Sequence, residues 1–338
     1  MSQLTQSRRT SPWAIILIAI GVIWLLSEAN IFTAANLSVL FRFWPVILIA
    51  FGVELLLGRN NQRLSMLIVG GTVLVMIALM LIGPSVGLAQ TSDVKTATYS
   101  TPLDGVESAR VNISANVAAV YIVPISNPDN LLDADLEYVG DLTYDASTDG
   151  AQGVVNLESQ GSVTYSNIFF FNWLGGDAVN GVQWDIGLNP AIPLDLNVSS
   201  GTGGMNLDLS TFQLSDLRVN GGTGSVDLVL PSMADAYTVR VETGTGAGRI
   251  RVLDDAAVRL VLQSGTGSMT IDVPDDAAVH LEASVGTGSV NVPGSFTRMS
   301  GEDGFIGDSG TWETANFDAA AQQITIEYDG GTGSLNIQ

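Results

Sequence analysis

Six Gly-Thr-Gly triplets begin at Gly201, Gly222, Gly244, Gly265, Gly286 and Gly331, at successive offsets of 21, 22, 21, 21 and 45 residues. Self-similarity at a short fixed period means that each unit buries a face against copies of itself, so function belongs to a surface rather than to a deep pocket. Around the triplets apolar residues alternate: Val226, Leu228 and Leu230 flank Asp227 and Val229, and Met269, Ile271 and Val273 flank Thr270 and Asp272. Alternation of this kind marks a strand with one buried face. The block Leu253-Asp254-Asp255-Ala256-Ala257-Val258 recurs 21 residues later as Pro274-Asp275-Asp276-Ala277-Ala278-Val279, so the whole unit repeats and not only its corner. The pattern predicts a right-handed parallel β-solenoid with coils of about 21 residues over 191–338. In it the glycines form the corners, where φ is positive, and the threonines stack into a hydroxyl ladder. A phosphate-cradling loop would open a helix, whereas these triplets open strands. A calcium-binding β-roll would repeat every nine residues, and Asp208, Asp227 and Asp272 share no common offset from their triplets. Gly307-Asp308-Ser309-Gly310-Thr311 falls where the 45-residue gap omits a corner and is expected to be a degenerate coil.

Composition changes near residue 90. Before it, five arginines face Glu28 and Glu54 for a net +3; after it, 32 carboxylates face eight basic residues for a net −24. A surface that acidic repels phosphate backbones, so no nucleic-acid partner is expected. Cysteine is absent and His280 is the only histidine. Disulfides, thiolate metal centres and His-based metal sites are thereby excluded, as is a Ser-His-Asp triad unless His280 acts alone, and no cofactor is expected. His280 alternates with Val279 and Leu281 and reads as a solvated strand residue. Arg249, Arg251 and Arg259 form the only basic cluster. A β-helix polysaccharide lyase would need such a cluster beside a proton-abstracting group, which makes that enzyme the remote reading.

Residues 1–90 read as a membrane anchor with spans at about 12–30, 39–57 and 64–82. The third contains 19 residues without a charge, close to the roughly 20 that cross ~30 Å of hydrocarbon. The first has only 14 apolar residues, 13–26, and competes with an interfacial segment. Trp13, Trp24 and Trp44 lie near segment ends, as amphipathic aromatics do at headgroup level. Arg8, Arg9, Arg59 and Arg63 place the N-terminus in the cytoplasm by the positive-inside rule, and three crossings then leave the acidic β domain outside. Only Leu55, Leu56 and Leu57 separate Glu54 from Gly58-Arg59, and it reads as an interfacial carboxylate. Gly87-Leu88-Ala89 has the small-x-small form of a signal-peptidase site, but an internal third span is a poor place for cleavage after Ala89.

Pro12-Trp13-Ala14-Ile15-Ile16-Leu17-Ile18-Ala19-Ile20-Gly21, followed by Phe41-Arg42-Phe43-Trp44-Pro45-Val46-Ile47-Leu48, resembles the LiaI/LiaF-type transmembrane region of bacterial cell-envelope stress proteins. The Arg-Phe-Trp-Pro entry carries most of that likeness. Gly105-Val106-Glu107-Ser108-Ala109-Arg110-Val111-Asn112-Ile113 and Asn130-Leu131-Leu132-Asp133-Ala134-Asp135-Leu136-Glu137-Tyr138 resemble the N-terminal module of the toast-rack proteins, placed at 91–190. Members of that group occur beside LiaF-like and adhesin-like repeats, and no catalytic motif comes with the resemblance. It implies a bacterial, non-enzymatic, multi-pass protein of the cytoplasmic membrane that senses or regulates envelope stress. Its partners would be the lipid bilayer and a membrane sensor kinase or sister membrane proteins. The alternative is an adhesin-like scaffold binding wall polymer. Phe169, Phe170, Phe171 and Trp173 crowd more aromatics into one run than a strand face can bury. They are read as a flap over the first coils or as a contact with the membrane or a partner.

Overall fold

The computed structural model describes residues 21, 39, 43–57, 62–86, 94–160, 182–303 and 307–338, in two compact units, Met1–Ser92 with Thr164–Gly181 and Asp93–Val163 with Val182–Gln338. The aromatic run at 169–173 and the cleavage site at 87–89 lie outside the described residues.

In the first unit, α1 (Trp44–Leu57) starts on Trp44-Pro45, where a proline in the first turn removes only an N–H that has no helical partner. The second helix, α2, spans Gln62–Ile82. Glu54 accepts a hydrogen bond from the Ser65 hydroxyl at 2.9 Å, so it has a partner on the neighbouring helix rather than only solvent. Among the described residues no helix is long and apolar enough to cross a membrane, and the expected first span lies almost wholly outside them.

The second unit is two facing sheets. The N-terminal strands are β1 (Lys95–Pro102), β2 (Ser108–Val117), β3 (Ala119–Pro124), β4 (Asn130–Tyr138), β5 (Asp141–Asp149), β6 (Gln152–Gln160) and β7 (Gln183–Leu188). Each triplet then lies between one strand of each sheet. The pairs are β8 (Pro193–Thr202) with β9 (Met205–Asp208), β10 (Gln213–Thr223) with β11 (Val226–Leu230), and β12 (Tyr237–Thr245) with β13 (Gly248–Val252). Next come β14 (Val258–Thr266) with β15 (Met269–Asp272) and β16 (Val279–Thr287) with β17 (Val290–Asn291). A hairpin of β18 (Phe296–Asp303) and β19 (Asp308–Thr314) follows, and then the last pair, β20 (Ile324–Thr332) with β21 (Leu335–Ile337).

The alternation of these strands sends every second side chain inward. Leu196, Val219, Val239, Leu260 and Ile326 from one sheet meet Leu207, Leu228, Ile250, Ile271 and Leu335 from the other in a cluster that runs from Val106 to Ile337 and across residue 190. Burying each such side chain contributes on the order of 1.5–3 kcal/mol, which sets the register because a one-residue slip would expose the whole row.

Neighbouring repeat strands pair in parallel, but spatial order departs from chain order at both ends. One sheet runs β1-β4-β7-β3-β9-β11-β13-β15-β21-β17, the other β18-β19-β16-β20-β14-β12-β10-β8-β2-β6-β5. The first repeat pair, β2 with β3, therefore lies between β6–β7 and β8–β9, and the last, β20 with β21, lies between β14–β15 and β16–β17. The segment expected to form a degenerate coil is instead β19, antiparallel to both β16 and β18. The 45-residue gap is a hairpin excursion that covers the end of the stack before the chain returns to fill a place one step inward.

Candidate functional site

The glycine corners have two distinct causes. The second glycine of each triplet sits at φ between +139° and +146°, a region that only glycine adopts cheaply. The first has an ordinary φ but stacks on the triplet beside it: a Cβ on Gly222 would lie 2.3 Å from the Gly201 carbonyl oxygen, on Gly244 2.5 Å from that of Gly222, and on Gly265 2.4 Å from that of Gly244. Gly331 would meet Gly265 and Gly286 would meet Gly331 in the same way. The threonines are in register across the stack. What joins the corners is backbone: the N–H groups of Gly203, Gly224, Gly246, Gly267 and Gly333 each donate to the threonine carbonyl of the next corner at 2.8–3.0 Å.

A column without side chains leaves a trench. Its largest section, about 720 Å³, is floored by Gly201, Gly222, Gly244, Gly265 and Gly331 and walled by Ser199, Asn220, Glu242, Gln263 and Asp329. These five wall residues are successive register partners on β8, β10, β12, β14 and β20. The same row continues to Ser114 and Glu158 at one end and to Ser284 and Ser309 at the other, where sections of about 510 and 560 Å³ share residues with the first. Nine strands at ~4.8 Å spacing make the row roughly 40 Å long. Hydroxyls, amides and carboxylates line it, and none of the described lining residues is basic. Such a surface can hydrogen-bond an extended polar chain and repels an anionic one.

The three arginines read as a cluster are divided between opposite faces. Arg249 and Arg251 project from β13 towards Asp272 at 3.4 and 4.0 Å, whereas Arg259 projects from β14 of the other sheet to Glu327 at 2.6 Å. Two faces of a sandwich cannot act on one sugar, so Arg249, Arg251 and Arg259 do not form the cluster on which the lyase reading rested. On the trench side Arg110, Asp195, Arg218, Asp216 and Arg240 form a chain of exposed ion pairs at 2.8–3.7 Å, each worth little singly. His280 is half-buried and bonds Glu313 of β19 at 2.8 Å, so this strand residue ties the hairpin to the stack. Among the described residues no group of three or more His, Cys, Asp or Glu could hold a metal ion.

The succession of a helical segment and a two-sheet repeat has a counterpart among known families. The LiaF transmembrane domain matches residues 12–100, and the N-terminal domain of toast_rack, DUF2154, matches residues 90–253. The chain joins a LiaF-type transmembrane region to a toast-rack module. That module takes in the strands from β1 to β13 and most of the trench. No curated protein matches the sequence. Among solved structures, a candidate cell adhesion protein from Clostridium sporogenes ATCC 15579 is 19% identical with a TM-score of 0.48, covering 72% of this chain and 99% of its own. A candidate adhesin from Bacteroides fragilis NCTC 9343 is 8% identical with a TM-score of 0.28, covering 73% and 98%. The LiaF-type region and toast-rack module together fit a membrane envelope-stress protein, and both are non-enzymatic types.

Proposed function

We propose that this chain is a non-enzymatic regulator of envelope-stress signalling that acts through protein–protein contacts made by its toast-rack module outside the cytoplasmic membrane. The observation that carries the reading is the order of the two modules along one chain, a LiaF-type anchor followed directly by the toast-rack sheets. The anchor crosses three times with the N-terminus in the cytoplasm, following Arg8, Arg9, Arg59 and Arg63. The repeats form a right-handed parallel β-solenoid, the hand that strand–crossover–strand connections take in nearly all sheets. The partner is a membrane sensor kinase or a sister anchor protein, seated on the trench face.

Because the chain has no cysteine, Asn220→Cys carrying a short photocrosslinker probes the trench wall in intact membranes. Recovery of a kinase or anchor protein supports the proposal; recovery of wall polymer without either sinks it. The second outcome would favour an adhesin-like scaffold, a reading that the polar trench of roughly 40 Å also suits.

A further inference from the structure

The last repeat pair sits between two repeat pairs that share one register with it. β20 pairs with β14 on one side and with β16 on the other, and both contacts have one register: Val258 and Val279 each face Ile324, and Thr266 and Thr287 each face Thr332. β14 and β16 are therefore aligned as direct partners would be, Val258 to Val279 and Thr266 to Thr287. That offset of 21 residues already joins β12 to β14, where Tyr237 faces Val258 and Thr245 faces Thr266.

The connectors show the same redundancy. Residues 253–257 carry the chain from β13 to β14, one strand step from β12. Residues 273–278 contain the same Asp-Asp-Ala-Ala run but carry the chain from β15 to β16, two strand steps from β14. Six residues can span roughly 20 Å, so the connector serves either one step of ~4.8 Å or two. The corner bonds are equally interchangeable. Gly267 N–H now donates to the Thr332 carbonyl and Gly333 N–H to that of Thr287. With β20–β21 absent, Gly267 N–H would meet Thr287 as Gly246 N–H meets Thr266. The side-chain contacts particular to the occupant are the Arg259–Glu327 ion pair, the Tyr328–Ser264 bond, and the Asn291–Asn336 and Ser289–Ser334 bonds, and a second copy of the chain offers every one of them.

We propose that β20–β21 is a removable latch: it leaves its slot, β16–β17 closes onto β14–β15 in the existing register, and the freed pair enters the same slot of a second copy of this chain. A released pair exposes backbone donors and acceptors on both edges, and a slot with matching corners offers the same bonds that it left. The proposal is independent of the signalling reading, since it concerns association between copies whatever else they contact.

Pairs of introduced cysteines in the full-length chain test it against a background free of native thiols. Thr266→Cys with Thr332→Cys places the two on adjacent strands about 4.8 Å apart, within disulfide reach. Thr266→Cys with Thr287→Cys separates them by two steps, about 9.6 Å, beyond the ~7 Å limit. The first pair should crosslink promptly within one chain and the second orders of magnitude more slowly, as the latch leaves. A mixture of the two single variants, Thr266→Cys and Thr332→Cys, should give a covalent dimer joining one chain of each kind, increasing with protein concentration. If the second pair stays reduced and the mixture stays monomeric while the first pair crosslinks fully, the latch is fixed and the proposal fails. Prompt crosslinking of the second pair with none in the first also overturns it, because the resting chain would not be intercalated. Slow closure of the second pair without mixed dimer removes the exchange between copies.

Discussion

At the scale of single residues, the two glycines of a triplet fail for different reasons when a methyl group is added. A Cβ on Gly267 would lie 1.8 Å from the Gly246 carbonyl oxygen, at a φ of +140° that L-residues avoid. Gly267→Ala should therefore destabilise the β unit by at least about 3 kcal/mol in urea unfolding. Gly294→Ala, which meets nothing within 4 Å, should change it by no more than about 0.5 kcal/mol. Tyrosine sets the alkaline limit. Tyr237 is buried, donates its hydroxyl to the Pro231 carbonyl at 2.9 Å, and has its pKa pushed up by desolvation. Burial raises Tyr328 as well, and the charge of Asp329 adds to the shift while a bond with Ser264 opposes it. Both favour the neutral form in the fold, so their contribution is full below the ordinary tyrosine pKa of about 10 and is lost as pH rises above it. Above that pKa Tyr237 should lower stability by up to about 1.4 kcal/mol per pH unit, and Tyr328 acts in the same direction. Unfolding followed from about pH 9 to about pH 11 checks this, and Tyr237→Phe should flatten the slope. The triplets announced these corners in the sequence because glycine is required there twice over. The wall of the trench was not legible: Ser199, Asn220, Glu242, Gln263 and Asp329 share no residue type, and only the register brings them into one row.

At the scale of elements, the hairpin of β18 and β19 ends the stack through a small set of contacts. Arg298 lies over the Trp312 ring at 5.0 Å, pairs with Asp308 at 3.0 Å and donates to the Ser309 carbonyl at 2.8 Å. Asp308 also accepts from the Val290 N–H at 3.2 Å, which occupies a donor on the last strand of the opposite sheet and so blunts an exposed edge. Trp312→Ala should cost about 3–5 kcal/mol, and the loss should be local. Hydrogen exchange should quicken in β16, β18 and β19 while β10 and β12 keep their protection, as expected where repeats contact only their neighbours. The period, the strands and the alternating core were all readable from residues such as Val226, Leu228 and Leu230. The order of units in space was not, because corners that are chemically equivalent accept any neighbour. The chain between Gly286 and Gly331 was therefore read as a worn coil, although Trp312 and Arg298 are cap residues. The two basic faces escaped for the same reason. Arg251 and Arg259 are close in sequence but fall on different sheets once the corner between β13 and β14 is turned.

For the whole molecule, the decisive quantity is the number of crossings before residue 94, since each one added or removed moves the acidic strands to the other side of the membrane. The LiaF-type match supplies the membrane region, and the arginines at 8, 9, 59 and 63 supply a direction for it. Arg59 and Arg63 share a side with Arg8 and Arg9 only if both 12–30 and 39–57 cross. If the first stretch lies along the interface instead, those two pairs fall on opposite sides and the bias in the charges disappears. Protease accessibility gives the question a direct readout, because a protease added to intact spheroplasts meets the β unit only if it lies outside. With three crossings, cleavage should remove material beyond residue 93 and leave a membrane-bound N-terminal fragment, while a cytoplasmic control stays whole. Protection of the β unit under conditions that cut a periplasmic control would mean an even number of crossings and would move every contact proposed for the trench to the cytoplasmic side.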